Sequence, residues 1–385
     1  MEIYFDNAAT TKVIPEVRDI MIETMEKEYG NPSSMHIKGV EAEKWLRYTR
    51  EVISRHLKCD TKEIIFTSGG TEANNLALVG IARANKRAGN HIITTKIEHA
   101  SVLNTALFLE EEGFRVTFLH VDSEGKVDMK HLQESICEDT ILVSVMAVNN
   151  EIGAVQPLDE IGSVISQYNR EHGKGIVFHV DAVQAFGKQI IYPKRIGVGA
   201  LSISGHKLHG PKGSGALFVD DKIKIQPLLF GGGQEKGRRS GTENTTAVAG
   251  LGKAAEIMYE HLEDNRIRME AVKQALIKGA SAIEGVTDNS GESPHIASLS
   301  FRGIKSEVLL HALEERGIYV SAGSACASNH KSSVSGVLKA IGLDEELLDS
   351  TLRFSFCELN TVEEAEHTVR VLEELVPILR RFTRK

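Results

Sequence analysis

Lys207 stands between two histidines in the run Ser202-Ile203-Ser204-Gly205-His206-Lys207-Leu208-His209-Gly210. The run is poor in helix and strand formers and rich in hydrogen-bonding groups, so it reads as a tight loop that holds its amine in place. A lysine held there, with its pKa lowered by its surroundings, can form a Schiff base with an aldehyde cofactor. A solvated surface lysine is the ordinary alternative. Asp181 ends an apolar run over 175–181, at the strand edge where ligands bind in open α/β sheets. A carboxylate there can keep a pyridine ring cationic and make it an electron sink, or it can cap the following turn. Gln184, a little further on, can hydrogen-bond the same ligand. His99, just past the strand over 91–95, can stack on a flat ring and move protons.

Ser68-Gly69-Gly70-Thr71-Glu72-Ala73-Asn74-Asn75 follows a short β-rich run and opens a helical pattern. Glycines allow the tight turn, and the free N–H groups of a helix start can hold a phosphate. A plain strand–helix junction explains the same letters. The turn is not the G-x-G-x-x-G fingerprint, and Pro211 interrupts the only P-loop-like stretch, so a nucleotide site has little support. Ser321-Ala322-Gly323-Ser324-Ala325-Cys326-Ala327-Ser328-Asn329-His330 surrounds one cysteine with small residues, a setting that suits a reactive thiol better than a structural one. Arg353 lies in the strand-like run Leu352-Arg353-Phe354-Ser355-Phe356, where a guanidinium can grip a carboxylate through two parallel bonds. Gly231-Gly232-Gly233 and Arg238-Arg239-Ser240-Gly241-Thr242-Glu243-Asn244 could bind an anion, cross a subunit boundary or serve as a linker.

The elements that must position these residues alternate along the chain. Strands are expected over 63–67, 91–95, 115–119, 141–148, 175–181, 200–203 and 215–219, with helical stretches between many of them. This alternation implies an α/β fold with a mainly parallel sheet covered by helices. One long helix is expected over 253–283. Strands over 296–301 and 353–356 then mix with helices up to Arg381, the texture of a smaller α+β domain. A chain of 385 residues exceeds one compact core, so two domains are expected. The net charge of −8 and the lack of a long basic stretch argue against nucleic acid as a partner. No apolar run approaches the roughly 18–20 residues of a membrane span, and the N-terminus has no signal-peptide pattern. Cys59, Cys137, Cys326 and Cys357 form no CxxC pair, which argues against a zinc ribbon or a disulfide framework and points to a reduced, cytoplasmic setting with no structural metal.

Taken in order, these stretches resemble the cysteine desulfurases, pyridoxal-phosphate enzymes with the class V aminotransferase fold. The likeness runs from Tyr4-Phe5-Asp6-Asn7-Ala8-Ala9-Thr10-Thr11 through Gly30-Asn31-Pro32-Ser33-Ser34-Met35-His36 to Arg353-Phe354-Ser355-Phe356. Between them lie Thr71-Glu72-Ala73-Asn74-Asn75, Glu98-His99, Asn149-Asn150-Glu151-Ile152-Gly153, His179-Val180-Asp181-Ala182-Val183-Gln184, Ser204-Gly205-His206-Lys207 and Arg239-Ser240-Gly241-Thr242. The resemblance implies the fold-type-I architecture of pyridoxal-phosphate-dependent transferases. A large cofactor-binding domain would span 16–255, and a small domain from 1–15 and 256–385 would carry the cysteine loop. It implies pyridoxal 5′-phosphate as a Schiff base with Lys207, Asp181 against the pyridine nitrogen, His99 stacked on the ring and Gln184 on the phenolic oxygen. Gly70, Thr71, Ser204, Gly205 and His206 would hold the phosphate, with Thr242 reaching in from the other subunit of a homodimer. Asn150 and Arg353 would bind the carboxylate of L-cysteine. Lys207 would move the Cα proton, and Cys326 would take the sulfur as a persulfide, leaving L-alanine. The acceptor would be an iron–sulfur cluster scaffold, a tRNA-thiolation protein or another sulfur carrier. An aminotransferase or selenocysteine lyase on the same scaffold, and a non-catalytic sulfur-transfer scaffold, are the alternatives. Cys357 stands where many relatives carry glycine, and a structural role is expected for it.

Overall fold

The computed structural model describes residues 2–322 and 335–383. Among them the strands are β1 (Ile3–Tyr4), β2 (Ile64–Thr67), β3 (His91–Thr95), β4 (Arg115–Leu119), β5 (Thr140–Met146), β6 (Val177–Asp181), β7 (Ala200–Ser204), β8 (Gly215–Val219), β9 (Val286–Asp288), β10 (Ile296–Phe301), β11 (Ile318–Tyr319), β12 (Ser321–Ala322) and β13 (Thr351–Ser355). The α-helices are α1 (Pro15–Glu26), α2 (Ile37–Leu57), α3 (Gly70–Asn85), α4 (Ala100–Glu111), α5 (Met129–Ser135), α6 (Leu158–His172), α7 (Pro193–Ile196), α8 (Thr245–Glu260), α9 (Leu262–Ala280), α10 (Ser306–Glu314), α11 (Gly336–Ala340) and α12 (Val362–Thr383). None is long and apolar enough to cross a membrane.

Seven strands form the central sheet in the order β2-β8-β7-β6-β5-β3-β4. The pairs from β7 to β4 are parallel, as the apolar runs predict, while β8 lies antiparallel to both β7 and β2. The reversal has a simple cause. Parallel neighbours need a crossover of about a dozen residues or more, and only 205–214 separate β7 from β8. That short connection is the Lys207 loop, so the lysine is presented at the carboxyl end of β7. Strands β5, β6, β7 and β8 are buried along their whole length, which is why they read as continuous apolar runs rather than alternating ones. One face packs an apolar cluster with Leu46, Ile53, Phe178, Val248 and Leu251. The other packs Leu76, Ala77 and Ile81 of α3 with Val102 and Leu109 of α4.

The C-terminal part builds a second core on the antiparallel sheet β12-β13-β10-β9. Met269, Leu276, Leu299, Phe301, Leu313, Phe354 and Leu372 meet there, and Ile3 and Phe5 join them from the N-terminus. Burying a phenylalanine contributes about 1.5–3 kcal/mol, so Phe5, packed edge-on against Phe356 at 5.0 Å, anchors this segment more firmly than its two-residue strand does. The single helix expected over 253–283 is two. His261 adopts φ −111°, ψ 19° between α8 and α9, and the two helices serve different cores: Val248, Leu251 and Met258 face the large sheet, whereas Met269, Val272 and Leu276 face the small one.

His179, at the centre of β6, spans its neighbours, with Nδ1 2.8 Å from Ser144 Oγ and Nε2 3.0 Å from Ser202 Oγ. Complete burial pushes its pKa down to about 3. The unfolded chain therefore binds a proton at this ring below about pH 6.5 that the folded chain refuses, so stability falls as pH drops through that window. Between pH 7 and pH 5 the ring should remove about 2 kcal/mol. In urea denaturation at the two pH values, His179→Asn should show a loss smaller by about that amount; equal losses would place the titration elsewhere.

Candidate active site

The carboxyl ends of β6 and β7, the start of α3, the start of α4 and strand β13 converge on one cavity of about 280 Å³, near the lower end of small-molecule clefts at about 300–1,000 Å³. Ten of the sequence-predicted residues line it: Gly70, Thr71, His99, Asn150, Asp181, Gln184, Ser204, His206, Lys207 and Arg353. Ala8, Ala9, Asn74, Ser101, Met146, Val148 and Val183 complete the wall.

Lys207 reaches across to the N-terminal segment, its Nζ donating to the carbonyls of Ala8 at 2.6 Å and Ala9 at 2.7 Å. The same segment clamps the loop from the other side: the N–H and hydroxyl of Thr11 both donate to His206 O, and Thr11 Oγ1 accepts from His209 N. Burial, then the charges of Lys207, Lys212 and Lys188, push His206 down to about 4, so its ring is neutral beside the lysine near pH 7. A second buried lysine, Lys188, donates to Lys207 O at 2.7 Å. Burial and the Lys207 charge push Lys188 down to about 8, but it lies outside the cavity wall.

Asp181 is oriented from two sides. Its Oδ1 accepts from Val183 N at 2.9 Å and its Oδ2 from Asn74 Nδ2 at 2.8 Å. Asn74 Nδ2 also donates to Ser101 Oγ, which contacts His99 Nδ1 at 2.8 Å. His99 is the N-cap of α4, and its Nδ1 accepts from Ser101 N. The accepting Nδ1 leaves Nε2 carrying the proton of the neutral ring. Burial is the main cause of the lowered His99 pKa, opposed by Asp181 and reinforced by Lys207. Behind it, burial pushes Glu98 up to about 8, and its Oε1 accepts from Thr95 Oγ1 and Met146 N.

At one end of the cavity, α3 starts without a side-chain cap. Gly69 takes φ +153°, a conformation open mainly to glycine. At Gly70 a Cβ would lie 2.7 Å from Val183 Cγ2, so only a bare backbone allows this approach. At the opposite end Arg353 Nη1 donates to Asn150 O at 2.9 Å, and Nη2 meets Asp6 Oδ1 at 2.7 Å. Asn149 sets that loop by accepting from the N–H groups of Glu151 and Ile152 and donating to Ile97 O. Gln184 spends its amide on Ala8 O at 3.0 Å and faces His295 Nε2 at 3.3 Å.

Two predicted positions stand apart. Gly205 is not part of the wall, and its N–H is already donated to Ser214 O at 2.9 Å, so its part is to leave room for Ser214 Oγ, which a Cβ there would strike. Thr242 is exposed on its loop, away from the cavity of its own chain. Cys326 lies outside the described residues.

The model of the family described as Aminotransferase class-V matches residues 3–367. A protein of Clostridium botulinum named cysteine desulfurase IscS is 44% identical over 381 residues, 97% of this chain and 94% of that protein. The chain belongs to the cysteine desulfurase family. A solved NifS-like protein superposes with a TM-score of 0.92 at 37% identity, covering 98% of this chain and all of that one. A second solved structure, SspA in complex with cysteine, reaches a TM-score of 0.80 at 37% identity over 92% of this chain and 99% of its own. Cysteine desulfurases are pyridoxal-phosphate-dependent enzymes, and this chain is an enzyme of that family with its α/β fold. Within the family frame, the residues missed from sequence are those acting through others: Asp6 on Arg353, and Asn74 and Ser101 between Asp181 and His99. Asn74 sits in the quoted Thr71–Asn75 motif and Asp6 in the N-terminal one, so both carried a signal; Ser101 carried none.

Proposed function

We propose that the cavity holds pyridoxal 5′-phosphate and that the protein converts L-cysteine to L-alanine, passing the sulfur through Cys326 to an acceptor protein. The observation that carries this reading is the meeting of Lys207, Asp181, His99 and Arg353, from four distant stretches of chain, around one cavity of cofactor size. The residues present fit the group. An uncapped helix start with Gly70, Thr71, Ser204 and His206 nearby suits a phosphate. Asp181 on the wall, held by two donors, suits a ring nitrogen. Asn74 Oδ1 is buried without a hydrogen-bond partner among the described residues, an acceptor available to a bound molecule. Lys207 is the amine to which the cofactor would be joined. When bound, it supplies a sink for the electrons left at the substrate Cα.

Each residue then has a task. Arg353, with Asn150, grips the substrate carboxylate and aims Cα at Lys207. The Lys207 amine takes the Cα proton, helped by a neutral His206 that adds no competing charge. Asp181, its direction fixed by Asn74 and Val183 N, would hold the ring nitrogen. His99 would bind the face of the ring, and the Ser101 contact holds its tautomer with Nε2–H available as a proton donor. Cys326 attacks the substrate sulfur as a thiolate: the new S–S bond forms as Cβ–S breaks, and one proton delivered to Cβ and one returned to Cα complete alanine. Thr242, exposed on its own chain, suits a contact to the phosphate of a second copy in a homodimer. A thiol-based reaction also suits a reducing, cytoplasmic setting. We propose that the chain divides near 15 and 255 into parts that serve its two cores, although Met258 still packs on the large-sheet core and the break between the two helices comes at His261.

The deciding experiment is Cys326→Ser. The variant should keep its cofactor absorbance and binding of L-cysteine, yet release no sulfide and carry no labelled sulfur. Sustained sulfide production would make another thiol the nucleophile and remove Cys326 from the reaction.

A further inference from the structure

His209, Cys357 and Glu358 form a cluster that the desulfurase chemistry leaves unused. Their ligand atoms, one imidazole nitrogen, one thiol sulfur and one carboxylate oxygen, all lie within 4.8 Å of one another. Two are buried and the third is half-buried. None of the three lines the cofactor cavity. The cluster joins distant parts of the chain: His209 lies two residues past Lys207, whereas Cys357 and Glu358 follow β13.

The geometry points to a binding site for a single divalent, thiophilic cation, Zn²⁺ by its chemistry, held by His209 Nε2, Cys357 Sγ and a Glu358 oxygen. The imidazole is already set for this. Its Nδ1 is 2.6 Å from Lys12 O, and a backbone carbonyl can only accept, so the Nδ1 proton is fixed there and Nε2 is turned inward. A histidine ligating zinc through one nitrogen characteristically donates its other N–H to a carbonyl or carboxylate in this way. Nε2 and Glu358 Oε2 are 3.2 Å apart. Around a tetrahedral zinc with bonds of about 2.0–2.3 Å, ligand atoms sit roughly 3.3–3.8 Å apart, so the trio closes on an ion with small side-chain rotations.

Charge and access agree. A Cys thiolate and a Glu carboxylate neutralise the ion, and binding releases the thiol proton and any proton on Nε2 to solvent. Lys188 is the nearby cation, and its ammonium is already committed to Lys207 O. Glu358 also lines a separate surface cavity of about 400 Å³ between α1 and the start of α9, which puts the carboxylate on the solvent side of the cluster. Three protein ligands plus one open position is a common zinc arrangement. With the ion bound, the Lys207 loop and the end of β13 are tied by coordination rather than by hydrogen bonds alone.

The test uses the purified holoenzyme with Zn²⁺ alone and Co²⁺ alone. We expect about one Zn²⁺ per chain to survive gel filtration. Co²⁺ should give d–d bands in the red, clear of cofactor absorbance, with a thiolate charge-transfer band. Cys357→Ser should lose the charge-transfer band. His209→Asn, which tolerates the positive φ of 65° at this position, should weaken Co²⁺ binding at least about tenfold, since even outer-shell changes cost about 10–100-fold. Glu358→Gln, at the half-buried rim, should weaken it while leaving the fold intact. No retained ion in the wild-type protein, or a thiolate band unchanged in Cys357→Ser, would overturn the proposal.

Discussion

Replacing Lys207 by alanine should strip the purified protein of its near-visible cofactor absorbance and cut turnover at least about a thousandfold, the scale seen when a covalent catalytic group is removed. The size of the effect follows from geometry. Lys207 is the amine on the cavity wall closest in sequence to β7's carboxyl end, and its Nζ is aimed by two carbonyls at 2.6 and 2.7 Å. Those carbonyls belong to Ala8 and Ala9, which also face the cavity, so the amine is held at the site rather than beside it. Lys188 is the natural substitute to consider, being buried and pushed down to about 8. It points to Lys207 O from outside the wall and should not replace the missing amine. A Lys207→Ala protein with an unchanged spectrum would move the cofactor linkage to another lysine, and a double variant with Lys188 would identify it.

Arg353→Ala should raise KM for L-cysteine and lower kcat/KM by about ten- to over a hundredfold, because a hydrogen-bonded charge contact is worth about 1.5–3 kcal/mol. The arginine is prepared for this contact. It is almost fully buried at 4% exposure, fixed in β13 opposite Ser298 of β10 and Ser321 of β12, and held by Asp6 and Asn150 O through its two terminal nitrogens. Its Nε has no partner among the described residues, so part of the fork is still available to a carboxylate. Arg353→Lys should recover only a part of the affinity, since an ammonium carries the charge without the planar fork. Cofactor content of both variants should stay near wild type, which separates lost substrate binding from lost structure. An unaltered KM in Arg353→Ala would remove this residue from carboxylate binding.

Much of this arrangement is legible in the chain, and the unread parts have physical reasons. Strands His91–Thr95, Arg115–Leu119, Gly215–Val219 and Ile296–Phe301 form where their β-rich or apolar runs predict them, because burial on the sheet leaves a local signature. The antiparallel course of β8 has no such signature, as neighbours in a sheet are chosen by connection length and packing rather than by composition. The break at His261 is equally silent: no glycine or proline marks it, and it arises because α8 and α9 answer to different cores. At the site, residues with distinctive chemistry in distinctive runs, Lys207, Asp181 and His99, could be found. Ser101, between Asn74 and His99, could not, and although Asp6 stands in a quoted motif its hold on Arg353 acts through a distance that only folding creates.

The N-terminal segment sets a timetable for the whole enzyme. Residues 3–11 are made roughly 300 residues before β11 and β13, yet Ile3 pairs with Ile318, Asp6 bridges to Ser355 and grips Arg353, and Ala8 and Ala9 receive Lys207. This segment must therefore wait for partners made much later. With synthesis at about 5–20 residues per second, the cavity stays unfinished for tens of seconds while the large sheet can already assemble. Closure of the cavity is thus a late event in synthesis, reached only after β13 has been made.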